Sequence, residues 1–422
     1  MKAVIKQISK SFQLLLLFGI LFAFAMFQGG FVSWFLFYSV TPFLLYMLVI
    51  NFYPIQKWTV SRDVTTDYVQ AGQSVTVTIT VKRRIRFPLF FALIEDDLPA
   101  TLQYQDVGRK KYYQTDVSSY KRNRIVQRIV YPLMKKHFTY QYHLPHLPRG
   151  KHVLSGITIQ VGDPFGFVQQ KKTFPLEKIL MVYPAEREMN FKQQVFRTSE
   201  GSSPSMQIDD RLTNVVSGVR EYTPGDRFSW IDWKSTARMN KVMTKEFEQE
   251  KDTEIAVILP VMGQKQEHVL AFEAAVEWSV SLLQALRSYH QTSSFMTIGQ
   301  KSKLFHSHEL RFHFPVVQNY LATVQLEEKD DVVTDQLGSI PVSAYHAKTI
   351  FILCSLDDGL LQKITQIHEQ NHAVLVFFIA IHQTMNQEEQ QRIETLKARN
   401  ISVQMLTEKE LAADRWEVSP AL

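Results

Sequence analysis

The sequence predicts a multi-domain α+β protein with an N-terminal transmembrane helical hairpin, an antiparallel β-sandwich and a C-terminal, doubly wound α/β domain. Three observations lead to this fold class. Residues 11–56 contain no charged side chain, residues 60–184 alternate apolar and polar side chains, and residues 251–415 alternate apolar strands with amphipathic helices. A chain of 422 residues is long enough for two or three such domains.

The charge-free N-terminal segment divides into two apolar runs, residues 11–27 and 31–53, separated by a Gln-Gly-Gly turn. A bilayer core requires about 20 helical residues, so residues 1–56 are predicted to form a membrane-spanning hairpin. Lysines stand on both outer flanks and the turn carries no charge. The positive-inside bias therefore predicts a cell-membrane protein with two helices and both termini in the cytoplasm. A cleaved signal peptide ending near Ala23-Phe24-Ala25 is the alternative.

Residues 57–185 are predicted to form the β-sandwich. Residues 74–81 alternate cleanly between polar and β-branched apolar side chains, as in a half-buried strand. Further strands are predicted at residues 89–94, 125–131, 138–142, 156–161 and 179–183. Turn residues separate them, including Asp163-Pro164-Phe165-Gly166, where Asp163 is expected to form the turn and not to act as a catalyst.

The sandwich region is strongly basic. Residues 57–187 carry 21 Lys and Arg against 10 Asp and Glu, whereas residues 188–422 carry 23 against 31. The basic clusters at residues 82–86, 109–111 and 121–124 follow a predicted membrane hairpin. Anionic lipid headgroups attract each nearby basic residue by about 1 kcal/mol. We therefore expect contact with the membrane and with anionic lipid headgroups, and no binding of nucleic acid.

The C-terminal part, residues 251–415, alternates strand and helix patterns. Strands are predicted at residues 254–259, 294–298, 348–354, 373–379 and 401–406, and helices at 267–290, 315–325, 358–370 and 387–399. Continuous apolar strands between amphipathic helices are typical of a parallel sheet that is covered on both faces.

A polar linker, residues 186–217, is predicted before a dense segment of aromatic and charged residues at 218–250. Pro224-Gly225 suits the centre of a type II turn, and Asp226 can accept hydrogen bonds from nearby backbone. Large aromatics beside charges predict a buried structural segment whose charges pair with one another, and Asp232 would pair with Arg238 or Lys234 if it is buried opposite them. A catalytic or ligand-binding loop is the alternative.

The same segment, called the signature below, resembles a known bacterial family, domain of unknown function 58. The residues of this chain that match the family pattern are Arg220, Glu221, Tyr222, Pro224, Gly225, Asp226, Asp232, Trp233, Lys234 and Arg238. The resemblance implies a von Willebrand factor A-like fold for the C-terminal domain. It also implies a MoxR-type AAA+ ATPase as a partner, and often a membrane transglutaminase-like protein.

The resemblance further implies where a metal ion would lie. Domains of the von Willebrand factor A type hold a divalent cation in an Asp-x-Ser-x-Ser loop after their first strand. Pro260 and Met262 stand at the corresponding positions here, so the oxygen ligands that such a cation needs are missing and the site is degenerate. Carboxylates at Asp357 and Asp358 are expected to cap a helix. We expect no metal and no cofactor.

The predicted function is a membrane-anchored, cytoplasm-facing scaffold or adaptor without catalytic activity, working with the ATPase in the assembly or maturation of protein complexes. The sequence has neither a phosphate-binding GxxxxGK[ST] motif nor a GxSxG motif. One alternative is an enzyme that uses Glu221, Asp226, Asp232, Lys234 and Arg238, which would require a carboxylate of raised pKa in an open cleft. The other alternative is a lipid- or envelope-binding module.

Overall fold

The structure is a computed structural model, and it describes residues 2–66, 68–113, 124–191, 215–223, 226, 228–248, 254–263, 268–327, 346–370, 373–381 and 387–418. Within these residues the chain is a mixed α+β protein with two apolar N-terminal helices and several β-sheets. At this level the predicted fold class is confirmed.

The two N-terminal helices, α1 (Lys2–Gln28) and α2 (Phe31–Asn51), pack against each other as an antiparallel hairpin. Gly29 in the turn between them has a φ of +63°, a conformation that favours glycine. At the opposite end, Asn51 Nδ2 donates to the Gln7 carbonyl at 2.9 Å and to Ser11 Oγ at 2.8 Å. Both helices are long and apolar enough to span a membrane. The location of their ends on the cytoplasmic side stays a prediction.

Among the described residues, eight strands follow the hairpin and form two sheets. They are β1 (Thr59–Val64), β2 (Val69–Gln70), β3 (Val75–Lys82), β4 (Phe91–Asp96), β5 (Val126–Val130), β6 (His137–Leu144), β7 (Gly150–Gly162) and β8 (Gln169–Tyr183). The sheet orders are β1-β3-β6 and β2-β8-β7-β4-β5. The alternate apolar residues of β3 are buried in a core that both sheets share, as the period-two pattern predicts. One pairing, β2 with β8, is parallel and departs from the predicted antiparallel sandwich.

A buried ion pair joins the two sheets of the sandwich. Arg62 on β1 forms a salt bridge with Asp96 on β4, and both side chains are almost fully shielded from solvent. Tyr142 on β6 donates to the same carboxylate at 2.5 Å. Arg62 also donates to the carbonyls of Leu154 and Leu176 at 3.1 and 2.8 Å. The buried charges are therefore paired and hydrogen-bonded, as burial in a low dielectric requires.

The predicted linker contains more regular structure than expected. Its first residues include strand β9 (Met189–Phe191), and its last residues belong to strand β10 (Val215–Glu221). Residues 192–214 lie outside the described part. Helix α3 (Trp233–Met239) and strand β11 (Met243–Glu248) complete the signature, in which β10 and β11 pair as an antiparallel two-stranded sheet.

The C-terminal domain contains the predicted alternation of strands and helices. Its elements are β12 (Glu254–Pro260), α4 (Val269–Ser288), β13 (Ser293–Ile298), β14 (Lys303–Phe305), α5 (Ser307–Phe312), α6 (Phe314–Thr323), β15 (His346–Leu353), α7 (Asp358–Glu369), β16 (Ala373–Ile379), α8 (Gln387–Ala398), β17 (Ser402–Leu406), α9 (Glu408–Leu411) and β18 (Trp416–Val418). Strand β18 pairs with β9 in parallel, which ties the end of this domain to the start of the linker.

The main sheet of this domain has the order β14-β13-β12-β15-β16-β17. All neighbours are parallel except the edge strand β14, which is antiparallel to β13. Adjacent residues of one strand enter opposite cores: Val257 and Leu259 pack with α4 and α6, whereas Ile258 packs with α7 and α8. Helices therefore cover both faces of the sheet. Helix α4 is also long and apolar enough to span a membrane, but it is buried in this core.

Salt bridges join the sandwich to the α/β domain. Arg149, at the turn before β7, forms a bidentate pair with Glu273 on α4 at 2.9 and 2.7 Å. One turn further along α4, Glu277 pairs with Lys111 and accepts from Tyr112 at 2.7 Å. Arg187 donates to the same carboxylate at 3.1 Å. Four side chains from the sandwich and the linker thus converge on one face of α4.

Candidate functional site

The signature is a hairpin whose strands β10 and β11 are joined by residues 222–242. The two strands pair from Val215 opposite Glu248 to Glu221 opposite Met243, with one irregularity near Gly218. Ile231 then forms a β-bridge with Thr244, so the connecting segment folds back beside β11. These pairings bring β10, the connecting segment and β11 into one compact unit.

Arg220 and Asp226 fix the start of the connecting segment. Arg220 donates to both oxygens of Asp226, at 2.9 and 2.7 Å. The backbone N–H of Thr223 donates to the same carboxylate at 3.0 Å. These bonds lower the pKa of Asp226 to about 2, the Arg220 bonds being the largest cause. The backbone N–H of Asp226 donates to the Thr223 carbonyl, as a four-residue turn requires, while Pro224 and Gly225 lie outside the described residues.

Asp232 caps helix α3. Its carboxylate accepts from the Lys234 N–H at 3.0 Å and from Ser235 Oγ at 3.0 Å. These bonds lower its pKa, with the Ser235 hydroxyl as the largest cause. The pairing with Lys234 or Arg238, expected if Asp232 were buried opposite them, does not form, because the carboxylate accepts from the orphan N–H groups of the first helical turn instead. The side chains of Lys234 and Arg238 are exposed.

Two further contacts close the unit around α3. Thr236 Oγ1 donates to the Asp232 carbonyl at 2.8 Å and accepts from the Met243 N–H at 3.0 Å, which ties the helix to β11. Asn240 ends the helix in the left-handed conformation, with a φ of +52°. At the mouth of the hairpin, exposed Glu221 and Lys241 form a salt bridge. The hydrogen-bonded polar side chains of the signature thus stabilise its own geometry.

Among the aromatic side chains of the signature whose burial is described, none is buried, contrary to the prediction. Trp233 is 70% exposed and Phe228 is 78% exposed, and Met239 and Val242 are exposed beside the same helix. Ile231 and Met243 are the buried apolar side chains among the residues of this hairpin whose burial is described. A two-turn helix on a two-stranded sheet offers too little surface to cover a Trp at its first position. Tyr222, half-buried, stacks on Phe228 with ring centroids 6.2 Å apart.

Sequence reasoning named Trp233 but missed three members of this exposed surface, Phe228, Met239 and Val242. A signal was present in the sequence. Asp232 and Asn240 are typical ends of a helix, and they delimit a segment of only seven residues, Trp233–Met239. Such a short helix cannot bury apolar side chains on several sides. We call Phe228, Trp233, Met239 and Val242 the apolar signature surface.

The chain order of the strands in the main sheet reverses between the neighbouring strands β12 and β15, and the carboxyl ends of these two strands lie at the same edge of the sheet. Open α/β sheets bind ligands at this edge. Pro260 ends β12 here, and the Met262 carbonyl accepts from Ser355 Oγ at 3.4 Å. Asp357 caps α7 through the Leu360 N–H at 2.7 Å, as the sequence predicted, and Asp358 pairs with Arg392. In the described part of the chain, no cluster of three or more His, Cys, Asp or Glu could hold a metal ion.

The basic clusters of the sandwich are used in part for its own structure. Arg83 is buried and donates to the carbonyls of Phe87, Lys135 and Leu133. Lys111 is buried against Glu277. Arg84 and Arg86 remain exposed, and residues 121–123 lie outside the described part. Counting charges in the sequence therefore overstates the basic surface that a lipid headgroup could reach.

Two comparisons with known proteins bear on the family of this chain. A family model described as "Protein of unknown function DUF58" matches residues 218–291, which begin at the signature. The uncharacterized protein YeaD of Bacillus subtilis (strain 168) is 30% identical over 351 residues, which are 82% of this chain and 83% of YeaD.

Similarity to solved structures is weak. A cohesin module from a family 33 glycoside hydrolase of Clostridium perfringens ATCC13124 is 14% identical with a TM-score of 0.19, covering 30% of this chain and 98% of that chain. Cwp6 from Clostridium difficile is 10% identical with a TM-score of 0.17, covering 85% of this chain and 53% of that chain. Both scores are too low to carry an argument about the fold.

Proposed function

We propose that this chain, which belongs to the DUF58 family of proteins of unknown function, is a membrane-anchored adaptor. It docks a partner protein through the apolar signature surface. The exposure of Trp233 and Phe228 on an internally bonded hairpin is the observation that carries this proposal. Aromatic and Met side chains are enriched in protein interfaces, and a rigid surface loses little entropy on binding.

The polar residues of the signature support docking over the enzyme alternative. A general acid or base acting near neutral pH needs a pKa close to that pH. The pKa values of Asp226 and Asp232 are shifted in the opposite direction, downward, by the hydrogen bonds that fix the hairpin. Both carboxylates act as structural acceptors that hold Phe228 and Trp233 at the surface.

The proposed adaptor faces the cytoplasm. Lys10 and Lys57 flank a hairpin whose turn carries no charge, and positively charged flanks are retained on the cytoplasmic side. The proposed partner is a MoxR-type AAA+ ATPase, as the family resemblance implies, and a membrane transglutaminase-like protein is a second candidate. The ATPase would supply the energy for assembly or maturation of complexes at the membrane.

The C-terminal domain is proposed to be von Willebrand factor A-like. When the six strands of its main sheet are numbered in chain order from β12 to β17, their order across the sheet is 3-2-1-4-5-6. The third strand, β14, is antiparallel, and this topology supports the assignment. Pro260 and Met262 stand where such a domain would hold its cation, so the proposed docking uses direct protein contacts. The net acidity of residues 188–422 would speed association with a basic partner surface.

The test is a binding measurement between the full chain, reconstituted in nanodiscs, and the cognate ATPase. We expect binding that survives EDTA with nucleotide-free ATPase and weakens with salt. Trp233→Ala should reduce the affinity by about tenfold or more, as truncation of interface aromatics does. Phe312→Ala, which removes an exposed aromatic from α5, is the matched control and should bind as wild type.

Equal affinity of the Trp233→Ala and Phe312→Ala variants would remove the signature as the docking surface. Absence of binding in every nucleotide state would remove the ATPase as the partner.

A further inference from the structure

The two N-terminal helices and one loop of the sandwich line an open-sided cavity of about 460 Å³. Leu14 and Leu17 of α1 and Val40 and Leu44 of α2 line its walls, at the spacing of one helix face on each side. Phe165 and Phe167 lie at its base. A volume of this size is in the range of small-molecule sites, and the lining is almost wholly apolar.

The loop at the base is held in a fixed shape. Asp163 is fully buried and accepts from the N–H groups of Phe165 at 2.9 Å and Val168 at 2.5 Å. The ring of Phe165 packs edge-on against Phe43 of α2, with centroids 5.7 Å apart. Phe165 and Phe167 are nevertheless mostly exposed, although they are large apolar side chains in an ordered turn. This arrangement suits a loop that dips into the membrane interface.

Lys10 is the charged residue that lines the cavity. Its ammonium donates to the Phe167 carbonyl at 2.5 Å, and an ammonium has three donors, so two remain for an anion. The membrane-length part of α1 is Gln7–Gln28, which places Lys10 within the first turn of the span. At about 1.5 Å per residue this span is close to the bilayer thickness, so Lys10 lies at headgroup level.

The cavity extends from Lys10 towards the centre of the bilayer. Its residues on α2 run from Met47 to Val40, about 10 Å along the helix axis. In a bilayer the surroundings at this depth are lipid and not water, so an apolar cavity between the helices is open to lipid chains. The cation at its rim adds a preference for a negatively charged headgroup.

We propose that this cavity binds an acyl chain of an anionic phospholipid whose phosphate contacts the ammonium of Lys10. The occupant differs from bulk lipid in that Phe165 and Phe167 cover it from the sandwich side. The inference goes beyond the adaptor role, because it assigns a lipid site to the anchor, and its test requires no protein partner.

The test measures lipid that stays bound to the full chain. The protein is reconstituted in nanodiscs of phosphatidylcholine with a minor fraction of phosphatidylglycerol, extracted in mild detergent and examined by native mass spectrometry. Wild type should retain a phospholipid, with phosphatidylglycerol enriched over its share in the nanodisc. Val40→Phe fills the cavity and should lower the retained lipid several-fold, whereas Val49→Phe, on an exposed part of the same helix, should not.

The charge is tested separately. Lys10→Gln should keep a bound phospholipid but lose the enrichment of phosphatidylglycerol, and Lys151→Gln, at an exposed position of β7, should keep it. If Val40→Phe does not fold, Leu17→Phe in the cavity and Leu36→Phe outside it replace the first pair. Equal retention in cavity and control variants would overturn the site. Unchanged enrichment in Lys10→Gln would overturn the headgroup contact.

Discussion

His152 is a buried histidine in β7 whose hydrogen bonds define the tautomer of its neutral ring. Nε2 lies 2.8 Å from the Pro148 carbonyl, and Nδ1 lies 2.8 Å from Thr101 Oγ1. A carbonyl can only accept, so Nε2 carries the proton and Nδ1 accepts from the Thr101 hydroxyl. Burial lowers the pKa of His152, and the nearby Arg124 acts in the same direction.

This lowered pKa predicts a loss of stability in mild acid. The unfolded chain binds a proton near its ordinary pKa of about 6.5, whereas the folded chain binds it only at lower pH. The stability that neutral His152 contributes is therefore fully present above its ordinary pKa. It is lost as the pH falls through the pKa of the folded state. Thermal unfolding of the full chain between about pH 7.5 and about pH 5 should show a shallower pH dependence in His152→Gln. His137→Gln, at an exposed position of β6, should keep the wild-type slope.

Trp233 leads to a second prediction at the residue scale. Because its side chain is 70% exposed, Trp233→Ala should change the free energy of unfolding by less than about 0.5 kcal/mol. Trp278→Ala is the contrasting variant, since Trp278 is fully buried on α4 between Phe377 and Trp416. Its loss should cost about 3–5 kcal/mol. Chemical unfolding followed by circular dichroism measures both. A large cost at Trp233 would mean that the apolar signature surface is covered in the folded protein.

Sequence reasoning predicted the chemistry of the signature residues better than their surroundings. Pro224-Gly225 and Asp226 were expected at a turn, and the hydrogen bond from Asp226 to Thr223 agrees with that. The burial of Trp233 was wrong, because burial depends on what packs over a residue and not on its own polarity. The composition of a segment does not specify that neighbour.

At the scale of elements, the regular patterns were predicted well and the short strands were not. The alternation in β3 and the continuous apolar runs of β12 and β16 gave the right element within one or two residues of its ends. Strands β9 and β18 have three residues each and pair with each other from opposite ends of the C-terminal region. Three residues carry too few apolar positions for a period to be recognised.

The ion pair that joins the sandwich sheets gives a prediction at this scale. Arg62→Leu should lower the stability by about 3–5 kcal/mol, because Asp96 would stay buried without its cation. Burial already raises the pKa of Asp96, and loss of Arg62 should raise it further. The double variant Arg62→Leu/Asp96→Leu should recover part of the loss, since no unpaired charge remains.

Arg86→Leu, which removes an exposed arginine near the end of β3, is the control for this experiment and should unfold like wild type. Equal stability of the Arg62→Leu and Arg86→Leu variants in denaturant unfolding would show that the two sheets are held together without the ion pair.

At the scale of the whole molecule, charges buried between two domains hold them together. Glu277 on α4 contacts Lys111, Tyr112 and Arg187, which lie 90 to 166 residues away in the sequence. Burial alone would lower the pKa of Lys111, but the surrounding acidic groups, Glu277 foremost, hold it well above its ordinary value. The sequence could not reveal this contact, since Glu277 stands in a mostly apolar helix and its partners lie far away in the sequence.

The last prediction concerns this junction. Glu277→Leu would leave Lys111 and Arg187 buried beside an apolar side chain, and loss of one partner of a buried pair costs about 3–5 kcal/mol. Asp106, 2.8 Å from Lys111, retains part of the pairing, so the cost should fall at the lower end of this range. We expect the unfolding of the full chain to become less cooperative as well, because the sandwich and the α/β domain lose a shared contact.

Near-ultraviolet circular dichroism, to which Tyr112 and Trp416 at the junction contribute, should then change at a lower denaturant concentration than the far-ultraviolet signal. The guanidinium of Arg187 stacks over the Trp416 ring at 4.6 Å. The signal of Trp416 should therefore change when Arg187, without Glu277, leaves this position. Glu394→Leu, at an exposed position of α8, is the control and should leave both transitions coincident. Coincident transitions at wild-type stability in Glu277→Leu would mean that the two domains are joined chiefly by Arg149 and Glu273.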